Sequence, residues 1–192
     1  MMGASMGGFA ALTHCDLTPN TEVLAFSPQS TLAPEIVPFE ERFVRKQRSV
    51  DWTDPVRRDA ADTSASAQRA VILYDPKVEE DRLHIDRLPQ DNLERIHCRG
   101  MGHTLPNALK RAGVLDHVIE RTIQGTFNTT EFYQAFRQGR RKMIGILRQM
   151  AERCLEKNQT ARAEAICRVA RENGGGPFFR RTLNAIADQK AA

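Results

Sequence analysis

The sequence predicts an α/β fold, a parallel sheet with its helices, followed by an α-helical C-terminal part. Over residues 1–115, short and almost continuously apolar runs alternate with amphipathic segments, which is typical of buried parallel strands joined by helices. From residue 116 onward, apolar residues recur at helical spacing instead. The chain of 192 residues is 41% hydrophobic, which argues against wholesale disorder. We therefore expect an α/β region over 1–115 and a helical tail over 116–192.

The first element is a glycine-rich turn that leads into a helix. Residues 3–7 have the sequence GASMG, and residues 8–12, GFAAL, continue as an Ala-rich helical pattern. The next apolar run, residues 22–27, is too short for a helix and is ended by Pro28, so it predicts a buried strand.

Two further strands follow a long polar segment. Residues 29–68 are charged and interrupted by prolines, so we expect an irregular excursion with short helices, a candidate lid or cap. Residues 69–74 and 93–98 then predict the second and third strands of a three-stranded sheet. Helices are expected over 79–88, with Leu83 and Leu88 facing inward, and over 107–112.

The tail predicts an antiparallel helical hairpin. Apolar residues recur at helical spacing from Phe132 to Met150, and a second helix is expected over 160–172 after the polar break at 156–159. A third short helix over 178–187 would close the hairpin.

Composition narrows the function classes. Lys and Arg number 28 against 24 Asp and Glu, a net charge of +4, and the basic residues gather after Arg137, where glutamates interleave. Ordinary solvated helix surface is the favoured interpretation, and nucleic acid binding is the weakest of three functional hypotheses. No apolar run approaches a membrane span and no signal peptide is visible, so we expect a cytoplasmic protein without a membrane partner.

No cofactor or metal ion is expected. The four cysteines lack CxxC spacing, and we interpret them as reduced, buried thiols; no phosphate-binding or dinucleotide-binding glycine motif is present. We expect His14, His84, His97 and His117 at the surface or partly buried. We expect Asp54, Asp59 and Asp62 to be solvated charges or helix caps.

The GASMG turn matches the G-x-S-x-G pattern of a nucleophilic serine. In that pattern the serine lies on a strained strand-to-helix turn where glycines leave room for the backbone and the hydroxyl projects outward. The N–H of the next residue, Met6, would face the position of a developing oxyanion. The alternative is that Ser5 is simply a small residue in a flexible N-terminus.

A base and an acid follow in the order Ser, Asp, His. His103 lies after the third expected strand, in Gly-Met-Gly-His, and Asp75 directly follows the second. Each therefore falls at the carboxyl end of a strand, where sites of α/β proteins assemble. Asp81 is the alternative acid, six residues beyond Asp75. His103 could instead be a packing histidine or lie at a helix N-terminus.

Over about residues 3–115 the chain resembles the α/β-hydrolase family, from its nucleophile turn onward. The motifs that carry the resemblance are residues 3–8, Asp75-Pro76 and Gly102-His103. The resemblance implies that Ser5 is the nucleophile, His103 the general base and Asp75 the acid that orients the imidazole. It also implies hydrolysis of an ester or related acyl bond in a small-molecule substrate.

The sequence departs from the family in one respect. The resemblance implies several strands before the nucleophile turn, and a second oxyanion donor from that part, whereas this turn begins at Gly3. We therefore expect a partial hydrolase-like sheet with an exposed apolar edge and little activity, because one missing donor costs about 10²–10³ in kcat. The competing hypothesis is a non-catalytic scaffold whose helical tail binds a protein partner.

Overall fold

The computed structural model describes residues 1–53, residue 55 and residues 57–191. It confirms the α/β class. A parallel sheet runs in the order β1-β2-β3-β4, formed by β1 (Met2–Ala4), β2 (Glu22–Phe26), β3 (Arg69–Tyr74) and β4 (Leu93–His97). The expectation of three strands was wrong, because the three residues before Ser5 form a strand too short to be recognised from periodicity.

Helices connect these strands and make up the C-terminal part. Their bounds are α1 (Met6–Thr13), α2 (Val44–Gln47), α3 (Ala60–Thr63), α4 (Glu79–Asp86), α5 (Leu105–Arg111), α6 (Leu115–Ile123), α7 (Thr129–Arg140), α8 (Ile144–Glu156), α9 (Thr160–Glu172) and α10 (Pro177–Ala191). The helices predicted from the sequence over 79–88, 107–112, 160–172 and 178–187 are all present within a few residues of their expected bounds.

The register of the sheet aligns the carboxyl ends of its strands. Ala4 lies opposite Phe26, Phe26 opposite Leu73, and Leu73 opposite Ile96. Because all four strands run the same way, the residues that follow them emerge at one edge of the sheet. Ser5 and Asp75 are thereby brought to the same edge as the loop that leads to His103.

The long excursion after β2 is only partly a surface loop. Residues 29–33 are fully buried, whereas α2 and α3 are the short helices that the sequence predicts. Asp59 caps α3 by accepting a hydrogen bond from the Ala61 N–H, as expected for a capping aspartate, and Asp62 is exposed. Asp54 lies outside the described residues.

The inward face of α4 differs from the expected one. Asp81, His84 and Ile85 are its buried residues, whereas Leu83 is half-buried. Leu88, just beyond the helix, is buried as expected. His84 is also buried, contrary to the expectation of a surface or partly buried position, because it is hydrogen-bonded into a polar network described below.

The chain divides into two compact units, residues 1–108 and residues 109–192, and this division lies seven residues before the domain boundary expected from the sequence. In the second unit, α8, α9 and α10 pack around Leu147, Cys167 and Phe179. Its basic side chains include helical ion pairs one turn apart, Arg148 with Glu152 and Arg168 with Glu164. Among the described residues, no helix combines the length and apolarity needed to cross a membrane.

Candidate active site

Ser5 lies on a sharp turn between β1 and α1. Its backbone has a positive φ of 52° with ψ −120°, a conformation that non-glycine residues adopt at an energetic cost. The Ser5 N–H donates to the Phe26 carbonyl at 2.9 Å, and its carbonyl accepts from the Phe9 N–H at 3.0 Å. These two bonds connect the turn to β2 and to α1, so the strained residue is held from both sides.

Two glycines make room for this turn. A Cβ added at Gly3 would lie 2.1 Å from the Gly7 carbonyl oxygen, and one at Gly8 would lie 2.8 Å from the Cβ of Pro28. At Gly7, in contrast, an added Cβ would meet nothing within 4 Å. Of the two glycines of the G-x-S-x-G pattern, Gly3 is therefore the one that the close approach of β1 to α1 requires. In α1, the glycine that a neighbouring residue packs against closely is Gly8, which contacts Pro28.

A chain of hydrogen bonds joins Ser5, His103 and Asp81. Ser5 Oγ lies 3.0 Å from His103 Nε2, and His103 Nδ1 lies 2.8 Å from Asp81 Oδ1. Asp81 is almost completely buried, and the oxygen that contacts His103 also accepts from Arg42. Since a carboxylate oxygen accepts hydrogen bonds, His103 Nδ1–H is the donor to Asp81 Oδ1. Nε2 is then free to accept the Ser5 hydroxyl proton.

Asp75, the acid that the sequence favoured, makes different contacts. Its Oδ2 accepts from the Gly102 N–H at 2.8 Å and its Oδ1 from the Lys77 N–H at 3.0 Å. The expectation that Asp75 orients the imidazole is therefore wrong in its geometry. Asp75 instead connects the end of β3 to the loop that precedes His103, and Asp81, the alternative acid, holds the ring.

The excursion after β2 contributes two side chains that the sequence analysis missed. Gln29 is fully buried, and its Nε2 donates to Ser5 Oγ at 2.9 Å. The ring of Phe43 lies against the His103 imidazole, with 5.6 Å between ring centroids. Gln29 was recognisable in principle, because it follows the carboxyl end of a strand as Asp75 does; no sequence signal indicated Phe43.

A buried polar network lies behind the imidazole. Arg42 donates to Asp81 Oδ1 at 2.8 Å, the same oxygen that binds His103, and forms a bidentate pair with Glu40. Glu40 also accepts from Nε2 of His84 at 3.1 Å, since the Ser30 N–H occupies His84 Nδ1. The excursion is thus connected to α4 through charged hydrogen bonds, which explains why His84 is buried.

The charges in this network shift the pKa values of Glu40 and Arg42. Burial raises the pKa of Glu40, but hydrogen bonds from His84 and Arg42 outweigh burial and bring it to about 2. Burial lowers the pKa of Arg42, and its bonds to Glu40 and Asp81 more than reverse this, raising the pKa above its ordinary value. Both side chains are therefore charged at neutral pH, and Arg42 remains a cation beside Asp81.

The low pKa of Glu40 predicts a specific acid sensitivity. Because the folded pKa of about 2 lies below the ordinary 4.5, the ionised carboxylate stabilises the fold above pH 4.5 and that stability is lost as pH falls toward 2. The difference corresponds to about 3 kcal/mol at most. As the pH is lowered from 4.5 toward 2, we expect the free energy of unfolding to fall less steeply for Glu40→Gln than for the unsubstituted protein. Urea denaturation at a series of pH values measures this slope.

Glu41 provides the matched control, because it is the exposed neighbour of Glu40. Glu41→Gln should retain the pH slope of the unsubstituted protein. If Glu40→Gln retains that slope as well, the proposed linkage between Glu40 ionisation and folding is wrong.

Apolar and backbone groups complete the surroundings of Ser5. Met6 is the first residue of α1, so its N–H has no acceptor within the helix and is available to an oxyanion. The side chains of Met1, Met2 and Met6, around β1 and the start of α1, are exposed. Within the described ranges, no three His, Cys, Asp or Glu side chains converge as metal ligands would.

Taken together, Ser5 on the turn after β1, His103 on the loop after β4 and Asp81 in α4 form one chain of hydrogen bonds near the carboxyl edge of a parallel sheet. No family model, no curated protein and no solved structure matches this chain.

Proposed function

We propose that the protein is a serine hydrolase of the α/β-hydrolase type, acting on an ester or related acyl bond of a small molecule. The observation that carries the proposal is the chain from Ser5 Oγ through His103 to Asp81, with 3.0 Å and 2.8 Å between the bonded atoms. The serine in this chain also has the positive φ of a strand-to-helix turn; an adjacent base activates a serine nucleophile, and such a turn carries it in α/β hydrolases.

The residues support an acyl-enzyme mechanism. His103 Nε2 takes the hydroxyl proton as Ser5 Oγ bonds to the acyl carbon, and Asp81 stabilises the imidazolium that forms. The Met6 N–H would donate to the oxyanion of the tetrahedral intermediate. Collapse of the intermediate breaks the bond to the leaving alkoxide, which receives the proton from His103. Water, activated by the same imidazole, then releases the acid and regenerates Ser5.

Covalent labelling by a fluorophosphonate probe tests this proposal. The phosphonyl adduct accumulates irreversibly, so it can be detected even where turnover of a substrate is slow. We expect the full chain to be labelled, and we expect Ser5→Ala and His103→Ala to lose the label. The adduct should map to the peptide that contains Ser5.

Ser49 and His117 provide controls of the same residue types. Ser49 is exposed in the excursion and His117 is half-buried in α6, so Ser49→Ala and His117→Ala should be labelled like the unsubstituted protein. A chain that is folded by circular dichroism but never labelled would contradict the proposal. That result would favour the non-catalytic scaffold, with a protein partner bound to residues 109–192. This part of the chain contains 16 Lys and Arg but only 8 Asp and Glu.

The cytoplasm remains our proposed location. Cys15 and Cys167 are buried free thiols, as in proteins of reducing compartments. Cell fractionation with an antibody to the chain tests the location.

A further inference from the structure

Gln29 is the described side chain, other than His103, that bonds directly to the Ser5 hydroxyl. Its Nε2 lies 2.9 Å and its Oε1 3.2 Å from Ser5 Oγ. The residue is fully buried and follows β2, the strand that pairs with β1. The loop after β2 and the loop after β4 therefore each place a polar side chain, Gln29 and His103, against Ser5 Oγ.

The turn that holds Gln29 is fixed on both sides. Ser27 has a positive φ of 43° and donates its N–H to the Leu73 carbonyl at 2.8 Å. Pro28 packs so closely on Gly8 that an added Cβ would lie 2.8 Å from the proline Cβ. Gly8 lies in the first turn of α1, the helix that Ser5 precedes. The contact between Pro28 and Gly8 therefore holds the neighbouring Gln29 at a defined position relative to Ser5.

The hydrogen-bond capacity of the hydroxyl defines what Gln29 does. A serine hydroxyl has one proton to donate and two lone pairs that accept. If the amide of Gln29 donates into a lone pair, the hydroxyl proton is directed to His103 Nε2. If the amide oxygen accepts that proton instead, the proton is withheld from the base. Nε2 is the closer of the two amide atoms, so the first arrangement is favoured.

We infer that Gln29 is a positioning residue, which orients the Ser5 hydroxyl toward His103 by donating to its oxygen. This inference rests on the proposed function for its kinetic consequence. The position of Ser5 Oγ is, however, measurable without activity, so the two can fail separately.

Two substitutions at position 29 separate orientation from packing. Gln29→Met keeps the length of the side chain and removes both hydrogen-bonding atoms, whereas Gln29→Glu replaces the donor by an acceptor. We expect both to lower the second-order rate constant of fluorophosphonate labelling about tenfold, the effect of losing one hydrogen bond. Gln47→Met is the matched control, because Gln47 is also buried and donates to the Glu40 carbonyl, away from Ser5.

The pH dependence of Gln29→Glu distinguishes orientation from a structural role. As pH falls, the introduced carboxyl gains a proton and can again donate to Ser5 Oγ, so the ratio of variant to unsubstituted rate should rise toward one. The titratable and charged groups beyond Ser5 are His103, Asp81 and Arg42; they are present in both proteins and therefore largely cancel in the ratio. A merely structural loss would leave the ratio constant.

A crystal structure of Gln29→Met provides the readout that does not need activity. We expect Ser5 Oγ to leave hydrogen-bonding distance of His103 Nε2. Retention of the 3.0 Å distance in that variant, or labelling of both position-29 variants at the unsubstituted rate, would overturn the inference. Absence of labelling in the unsubstituted chain would contradict the proposed hydrolase and leave the crystallographic result to decide on Gln29.

Discussion

Asp81→Ala is expected to lower the rate of Ser5 phosphonylation by about 10⁴-fold, the scale seen when the acid of a Ser-His-Asp triad is replaced. The reason is that Asp81 Oδ1 is the acceptor of the His103 Nδ1 proton at 2.8 Å. Without that acceptor, the imidazole loses both its orientation and the charge that stabilises its protonated form. The measurement is the second-order rate constant of fluorophosphonate labelling.

Asp75→Ala is the matched comparison. Its carboxylate accepts backbone N–H groups of Gly102 and Lys77, so its removal should loosen the loop before His103 and cost much less labelling rate than Asp81→Ala. If Asp75→Ala in a folded chain lost as much activity as Asp81→Ala, the assignment of the acid to Asp81 would fail.

Asp81→Asn isolates the contribution of charge. His103 and Arg42 share Oδ1, while Oδ2 is buried without a hydrogen-bond partner among the described residues. An asparagine can therefore present its carbonyl oxygen to both donors and keep the tautomer of His103. We expect it to lose less activity than Asp81→Ala, and the remaining loss would report the missing negative charge.

Gly3→Ala is expected to destabilise the first unit by about 3 kcal/mol, at the upper end of overpacking effects. The added methyl group would lie 2.1 Å from the Gly7 carbonyl oxygen and 2.2 Å from its carbonyl carbon. These are backbone atoms of α1, so relief requires the helix to move away from β1 rather than a side chain to rotate. Urea denaturation followed by circular dichroism measures the loss, and labelling of Ser5 should disappear with it.

Gly7→Ala is the control that the same motif offers. A Cβ at Gly7 meets nothing within 4 Å, and alanine is favoured over glycine in a helix by up to about 1 kcal/mol. We therefore expect unchanged or slightly increased stability. Equal stabilities of Gly3→Ala and Gly7→Ala would contradict the close packing of β1 on α1.

Much of the framework followed from local patterns. The runs at 22–27, 69–74 and 93–98 correspond to β2, β3 and β4, and the helix over 160–172 coincides with α9. The strands β2 and β3 are short, almost continuous apolar runs, and α9 repeats its apolar residues at helical spacing; both patterns are properties of consecutive residues. The strand β1 was missed because its three residues are too few to form a recognisable apolar run.

The sequence by itself determined that Ser5 and His103 belong to strand ends of a parallel α/β sheet, because the pattern of strands is local and their carboxyl ends share an edge. Only the tertiary structure decided that Asp81 rather than Asp75 holds the imidazole, and that Gln29 and Arg42 join the site. Asp75 and Asp81 lie six residues apart, and the choice between them depends on how α4 is placed behind His103. That placement results from packing and from the ion pairs of Arg42, which are contacts between residues distant in the chain.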